Sequence, residues 1–221
     1  GHWTPYFVSS DAQETREIVG QNITAHTLEH KSEQKRPVTV QFRTASLGPL
    51  TFHEMAYSMF GDGEATIHAP KMANIYLCEF NLAGNMAVGR ETATTPFRPG
   101  EIYMINANTP HTKIWRTDGR QLMIKIHQTD MESALERLTG MPLQDPLRFE
   151  PVPQPDDGAA GTLREIIQVF GRDLDKPDSV FAGLDGASAA RMILDLMLKT
   201  LPNNYSHLLT NPAPAVRPRH V

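Results

Sequence analysis

The sequence predicts an α+β fold: an antiparallel β-barrel or jelly roll followed by a C-terminal helical subdomain. Three observations carry that prediction. From Pro37 to His127 apolar residues recur at every second position in about eight short runs, the spacing of strands with one buried face. Turn residues punctuate the runs at Gly61-Asp62-Gly63, Ala83-Gly84-Asn85, Pro99-Gly100 and Asp118-Gly119, as hairpins require. Beyond His127 the apolar spacing changes to the 3.6-residue period of helices.

The first segment, 1–36, reads as an N-terminal helix and arm. "SSDAQETREIVGQNI" opens on Ser and Asp, which cap helices, and carries acids in its first turns. "HKSEQKRP" follows as a charged, solvated loop. The barrel is assigned to 37–128. "VTVQFRT" sets Val38, Val40 and Phe42 against Thr39, Gln41 and Arg43, and further strands are "LTFHEMAYS", "GEATIHAP", "NIYLCEFNL", "NMAVGRET", "EIYMINA", "HTKIWR" and "QLMIKIH". Short strands at this spacing close into barrels or jelly rolls.

Residues 129–202 form the helical region. In "TDMESALERLTG" Thr129 and Glu132 have capping-box spacing and Gly140 is a stop. Five prolines between 141 and 158 mark a connection across the surface. "GTLREIIQVFGRDL" aligns Leu163, Ile166, Ile167, Phe170 and Leu174 on one face, and "ASAARMILDLMLKTL" aligns Ala190, Ile193, Leu194, Met197, Leu198 and Leu201. Met192 and Leu196 lie round from that stripe, more apolar surface than one core-facing stripe needs. Met192, Leu196, Ile193 and Lys199 are therefore the expected contacts of a homodimer, cyclic pairs being the commonest assembly. The remainder, 203–221, is a Pro-rich linker with basic residues.

Composition excludes several classes. A formal charge of −4 disfavours a chain that grips nucleic acid alone. No apolar run nears the roughly 18 residues of a membrane helix, and one cysteine, Cys78, leaves no internal disulfide. A cytoplasmic location with no membrane partner is expected.

"FRPGEIYMINANTPHTKIWR" delivers His111 from a turn to the head of a strand, much as cupin barrels present metal ligands. Cupin enzymes add an H-x-H pair and a glutamate from the preceding hairpin, since a metal needs three or four converging ligands. Residues 73–95 contain no histidine, and His53 and His68 stand alone. The reading is cupin-like in shape without metal or other cofactor; a cupin-type metal-dependent oxygenase or isomerase is the alternative, and a pure dimerisation module with a filled barrel is a third reading.

"TASLGPLTFHEMAYS", "FNLAGNMAVGRETATTPFRPGEIYMINANTPHTKIW", "LTGMPLQDPLRFEP" and "PAPAVRPRHV" together resemble the ligand-binding half of AraC/XylS-type transcriptional regulators, from residue 10 to 221. The branch most similar responds to benzoate-like and other aromatic compounds. The resemblance implies a small-molecule effector inside the barrel, a homodimer built on helices, no catalysis, and promoter DNA contacted only through a helix-turn-helix domain beyond residue 221. An aromatic acid wants an apolar slot, an aromatic wall and a cation. His111, Lys113 and Trp115 share one strand face, offering a donor, a charge and a stacking surface. Arg43, suited to a bidentate carboxylate, is a second anchor, Arg90 and Arg116 are further cations, and His53, Tyr57, Tyr76 and Tyr103 are wall candidates.

Overall fold

A computed structural model describes residues 1–31, 38–59, 63–183 and 186–210. The charged loop at 32–37, the Gly61-Asp62 turn and the Pro-rich tail from 211 lie outside the described residues. Two antiparallel sheets face each other. One runs, in spatial order, β1 (Phe7–Ser9), β3 (Val38–Leu47), β4 (Leu50–Met59), β11 (Gly119–His127), β6 (Ile75–Ala83) and β9 (Ile102–Ile105). The other runs β2 (Thr27–Lys31), β5 (Glu64–Ala69), β10 (His111–Trp115), β7 (Met86–Arg90) and β8 (Ala93–Phe97).

The strand periodicity sorts side chains into two cores. Val40, Phe42, Met55, Tyr57, Leu77, Met123 and Trp115 fill the space between the sheets. Leu50, Phe52, Cys78, Phe80 and Ile124 point the other way, against a helical layer. That layer comprises α2 (Gln128–Thr139), α3 (Gly158–Asp173), α4 (Val180–Gly183), α5 (Gly186–Thr200) and α6 (Ser206–Thr210). Leu135, Leu163, Ile167, Phe170, Ile193 and Met197 supply its apolar face.

The N-terminal helix α1 (Ala12–Asn22) is capped by Asp11, whose carboxylate accepts the Glu14 N–H at 2.8 Å. It lies against the barrel, with Val19 in the inner core and the carbonyl of Asn22 accepting from Lys125 Nζ at 2.7 Å.

Several expectations are corrected. The strands β1, β2 and β8 were not expected from the sequence; each is an edge strand, and the first two lie within 1–36. Thr129 does not cap α2: the N-cap is His127, without a side-chain bond, and the Gln128 N–H donates to the Asn74 carbonyl at 2.8 Å. Strand β11 runs straight into that helix and leaves no room for a box. Gly140 does end α2, left-handed at φ 70°. The segment 141–158 is more than a surface connection. Leu147 and Phe149 are buried in the helix-side core, and the Asn106 amide both donates to and accepts from the Phe149 backbone at 2.8 Å.

Candidate functional site

Strand β10 aims His111, Lys113 and Trp115 between the sheets. Trp115 lies within the inner core, and His111 and Lys113 line one cavity there. Their neighbours across β5 are Ala69, Ile67 and Ala65 in turn, small or aliphatic residues that leave room for the larger row. From the facing sheet, β6 sends in Glu79 and β11 sends in Gln121. Lys113 Nζ donates to Glu79 Oε1 in a buried ion pair and to Gln121 Oε1 at 3.0 Å. Gln121 Nε2 turns to the Met123 sulfur at 2.9 Å. The two sheets are thus tied together through their charged centre.

This pairing is incomplete. Glu79 Oε2 and His111 Nε2 are buried with no protein hydrogen-bond partner, as are Trp115 Nε1 and both ring nitrogens of His53. Buried polar atoms are ordinarily bonded to protein or to ordered water, and two of these, Glu79 Oε2 and His111 Nε2, belong to residues that line one cavity. Burial drives each ionisable group toward its neutral form. It lowers Lys113 and raises Glu79, each shift opposed by the partner's charge. Burial, then the Lys113 charge, pushes the His111 ring well below its ordinary value. His53 is held down to about 3, again chiefly by burial.

The cavity beside these groups measures about 40 Å³, room for a water but not for a ring. Its remaining walls are Met55, Met72, Met123, Leu77, Ile67 and Ala69, closed by Val19 and Ile23 of α1 and its C-terminal side, with Thr24 and His26 beside them. Methionine is unbranched and adaptable, so this wall can re-form around an occupant. A larger groove of about 300 Å³ lies outside the barrel, lined by Trp3, Arg43, Glu54, Arg120 and Asp175 among others. There Glu54 pairs with both Arg43 and Arg120, and Asp175 with Arg43. Arg172 also lines that groove, but the groove is open at the surface, whereas the unpartnered groups inside the barrel are buried and make the better site.

The remaining predicted residues divide by strand face. His53 packs on Phe42 at 5.4 Å between ring centroids, facing inward. Tyr103 lies 5.9 Å from the His111 ring, and Tyr57 lies 4.4 Å from Trp115. Tyr76 does not join them: it points into the helical layer, donating to the Leu147 carbonyl at 2.8 Å and meeting Phe149 edge-on. Arg43 also fails as a carboxylate anchor. Phe42 is inward, so Arg43 is outward, held between Trp3 and Tyr6 at 4.5 Å from each ring. Arg90 is exposed, and Arg116 is exposed and pairs with Glu64 at 3.4 Å. Neither expected anchor is therefore a free cation, Lys113 being already matched by Glu79. Among the described residues, no cluster of three His, Cys, Asp or Glu could hold a metal ion, and no helix is long and apolar enough to cross a membrane.

The model of the AraC-binding-like domain matches residues 15–204. The chain belongs to that family. Among solved structures, the AraC-like transcriptional activator CuxR superposes with a TM-score of 0.61 at 12% identity, over 87% of this chain and 68% of that one. Shorter alignments reach a cupin-2 domain protein of Shewanella frigidimarina (TM-score 0.32, 14% identity, 38% of this chain and 76% of that one). Ectoine synthase of P. lautus aligns at a TM-score of 0.34 and 14% identity, over 40% of this chain and 64% of that one. No curated protein sequence matches the chain. The family and the jelly-roll fold agree with the resemblance drawn from the sequence.

Sequence reasoning missed Glu79, Gln121 and the methionine wall of this AraC-binding-like domain. A signal was present for the first. Glu79 is the single charge in the run "NIYLCEF", where a carboxylate must be paired to be tolerated.

Proposed function

We propose that this domain is the effector-sensing and dimerising part of a transcription regulator. A small molecule enters the barrel beside Glu79 and Lys113 and so controls how the full-length protein binds promoter DNA and drives transcription. No catalysis is involved. The observation that carries this reading is the pair of unpartnered atoms, Glu79 Oε2 and His111 Nε2, at a methionine-lined cavity under α1. A rigid apolar filling would have served stability alone. An occupant turns Met55, Met72 and Met123 aside and presses on α1, the element that closes the cavity. An aromatic effector fits the apolar wall. Its carboxylate form, the expectation from the sequence, would have to win Lys113 from Glu79.

The dimer is assigned to the outward side of α5. Met192 is 45% exposed, Leu196 is half-buried and Lys199 exposed. Ile193 is fully buried inside the protomer and offers nothing to a second chain.

A thermal-shift screen of aromatic acids, amides, alcohols, amines and sugars tests the sensing role. An effector at 100 times its Kd adds roughly 2.7 kcal/mol, which at about 2–4 °C per kcal/mol for a domain of this size raises Tm by roughly 5–11 °C. Ala69→Leu, which fills the cavity opposite His111, should abolish the shift. Shifts that survive this variant, or stoichiometric iron, zinc, manganese or nickel in purified protein, would overturn the reading; the metal would favour a cupin-type enzyme.

A further inference from the structure

If an effector enters the barrel, the ion pair within it decides what chemistry that effector carries. Glu79 and Lys113 stand on facing sheets and cancel one another's charge. Lys113 spends two of its three N–H donors on Glu79 Oε1 and Gln121 Oε1. The group left over on the pair is an acceptor: Glu79 Oε2 is a carboxylate oxygen with no partner. Beside it stands His111, a ring that burial holds neutral and whose Nε2 is also unpartnered. Both residues line the same cavity, together with Thr24, His26 and Gln121 and an otherwise apolar wall.

We propose that the barrel selects an uncharged ligand that donates an N–H or O–H to Glu79 Oε2, and that it discriminates against carboxylates of the same shape. A carboxylate brings a third charge to a neutral pair and sets like charge against Glu79 Oε2. It can gain Lys113 only by stripping a fully buried Glu79 of its counter-charge. An amide or alcohol keeps the pair intact. It supplies the missing donor, and an amide carbonyl can in addition accept the third Lys113 proton. Discrimination by leaving a buried polar group unanswered is stronger than discrimination by a missing methylene.

Benzamide, acetophenone and benzoate test this directly. They share a ring and a carbonyl, and differ only in NH₂, CH₃ or O⁻ beside it. Titrated calorimetrically into the whole chain at pH 7, benzamide should bind roughly 10- to 100-fold more tightly than either of the others, the scale of one hydrogen bond to a charged group. Glu79→Gln keeps the shape and leaves Lys113 as an unmatched cation, so in that variant benzoate should overtake benzamide. The wild-type ranking stands alone should the variant fold poorly. Benzoate or acetophenone equalling benzamide in wild type, or an unchanged order in Glu79→Gln, overturns the proposal. If that binding is still lost in Ala69→Leu, only the donor claim falls and the barrel remains the effector site. No heat from any of the three also overturns the donor claim, and the wider screen then decides the effector reading separately.

Discussion

Replacing Lys113 with methionine tests the centre of the barrel. The substitution keeps an unbranched chain of similar length but removes the charge, leaving the Glu79 carboxylate, itself 0% exposed, with no cation. Breaking a buried pair from one side costs about 3–5 kcal/mol. At roughly 2–4 °C per kcal/mol, Tm should fall by about 6–20 °C. The sign of the pH dependence follows from burial, which already raises the Glu79 carboxyl and does so unopposed once Lys113 is gone. A carboxyl raised above its unfolded value destabilises the fold at high pH, and relief comes as pH falls through the folded value. The gap between variant and wild type in urea denaturation should therefore narrow from pH 8 to pH 5. Adding Glu79→Met removes the stranded charge and should bring stability back to within about 1 kcal/mol of wild type or above it, as apolar replacement of buried pairs does. A single variant costing less than about 1 kcal/mol, equally at both pH values, would be the behaviour of an exposed pair and would refute the burial of this one.

Three other outcomes follow from particular contacts. His53 is held neutral down to about 3 by burial, so its contribution is complete above the unfolded value near 6.5 and is lost on acidification at about 1.4 kcal/mol per pH unit. From pH 7 to 5 that is about 2 kcal/mol, and His53→Phe, which keeps the stack on Phe42, should reduce the loss by that amount, the buried His111 contributing separately; an unchanged slope would exclude His53 as one of its sources. Gly119→Ala would bring a Cβ within 2.6 Å of the Trp115 ring and 3.0 Å of the Ala83 carbonyl, an overpacking cost of about 1–3 kcal/mol read by urea denaturation with a change in tryptophan emission. Met192→Glu should give monomers by light scattering where wild type gives dimers, and unchanged dimers would move the contact away from α5.

What the sequence revealed and concealed depends on how many sides of each strand are covered. In β3 only one face meets the inner core along 38–43, so alternation was visible, and with Phe42 inward it already implied that Arg43 pointed out. In β6 residues 75–81 are all buried, because the barrel covers one face and the helices the other. Periodicity vanishes in such a strand, which is why Glu79 passed as part of an apolar run and why Tyr76 could not be told from Tyr103. The three missed strands are edges, and β8 carries Pro96, which cannot donate to a ladder and belongs at an edge. The row His111, Lys113 and Trp115 was legible because a half-polar strand with an aromatic on the same face has few ways to sit. Their partners come from the facing sheet, at sequence separations of 34 for Glu79 and 8 for Gln121, and no local pattern encodes that meeting.

The retained ion pair is itself an argument for binding. Two charges removed from water cost several kcal/mol each, and their attraction seldom repays more than that. A barrel already filled by Phe42, Met55, Tyr57, Leu77 and Trp115 could close over methionine or leucine at positions 79 and 113 and lose nothing in stability. Lys113 also takes up Gln121, and together with His111 the pair leaves two unpartnered polar atoms beside a wall of flexible methionines. A recognition role keeps them available, holds them in fixed directions by the ion pair, and surrounds them with side chains that can move aside. The chemistry at the barrel centre therefore supports the proposed recognition role, since it exceeds what the fold needs to stand.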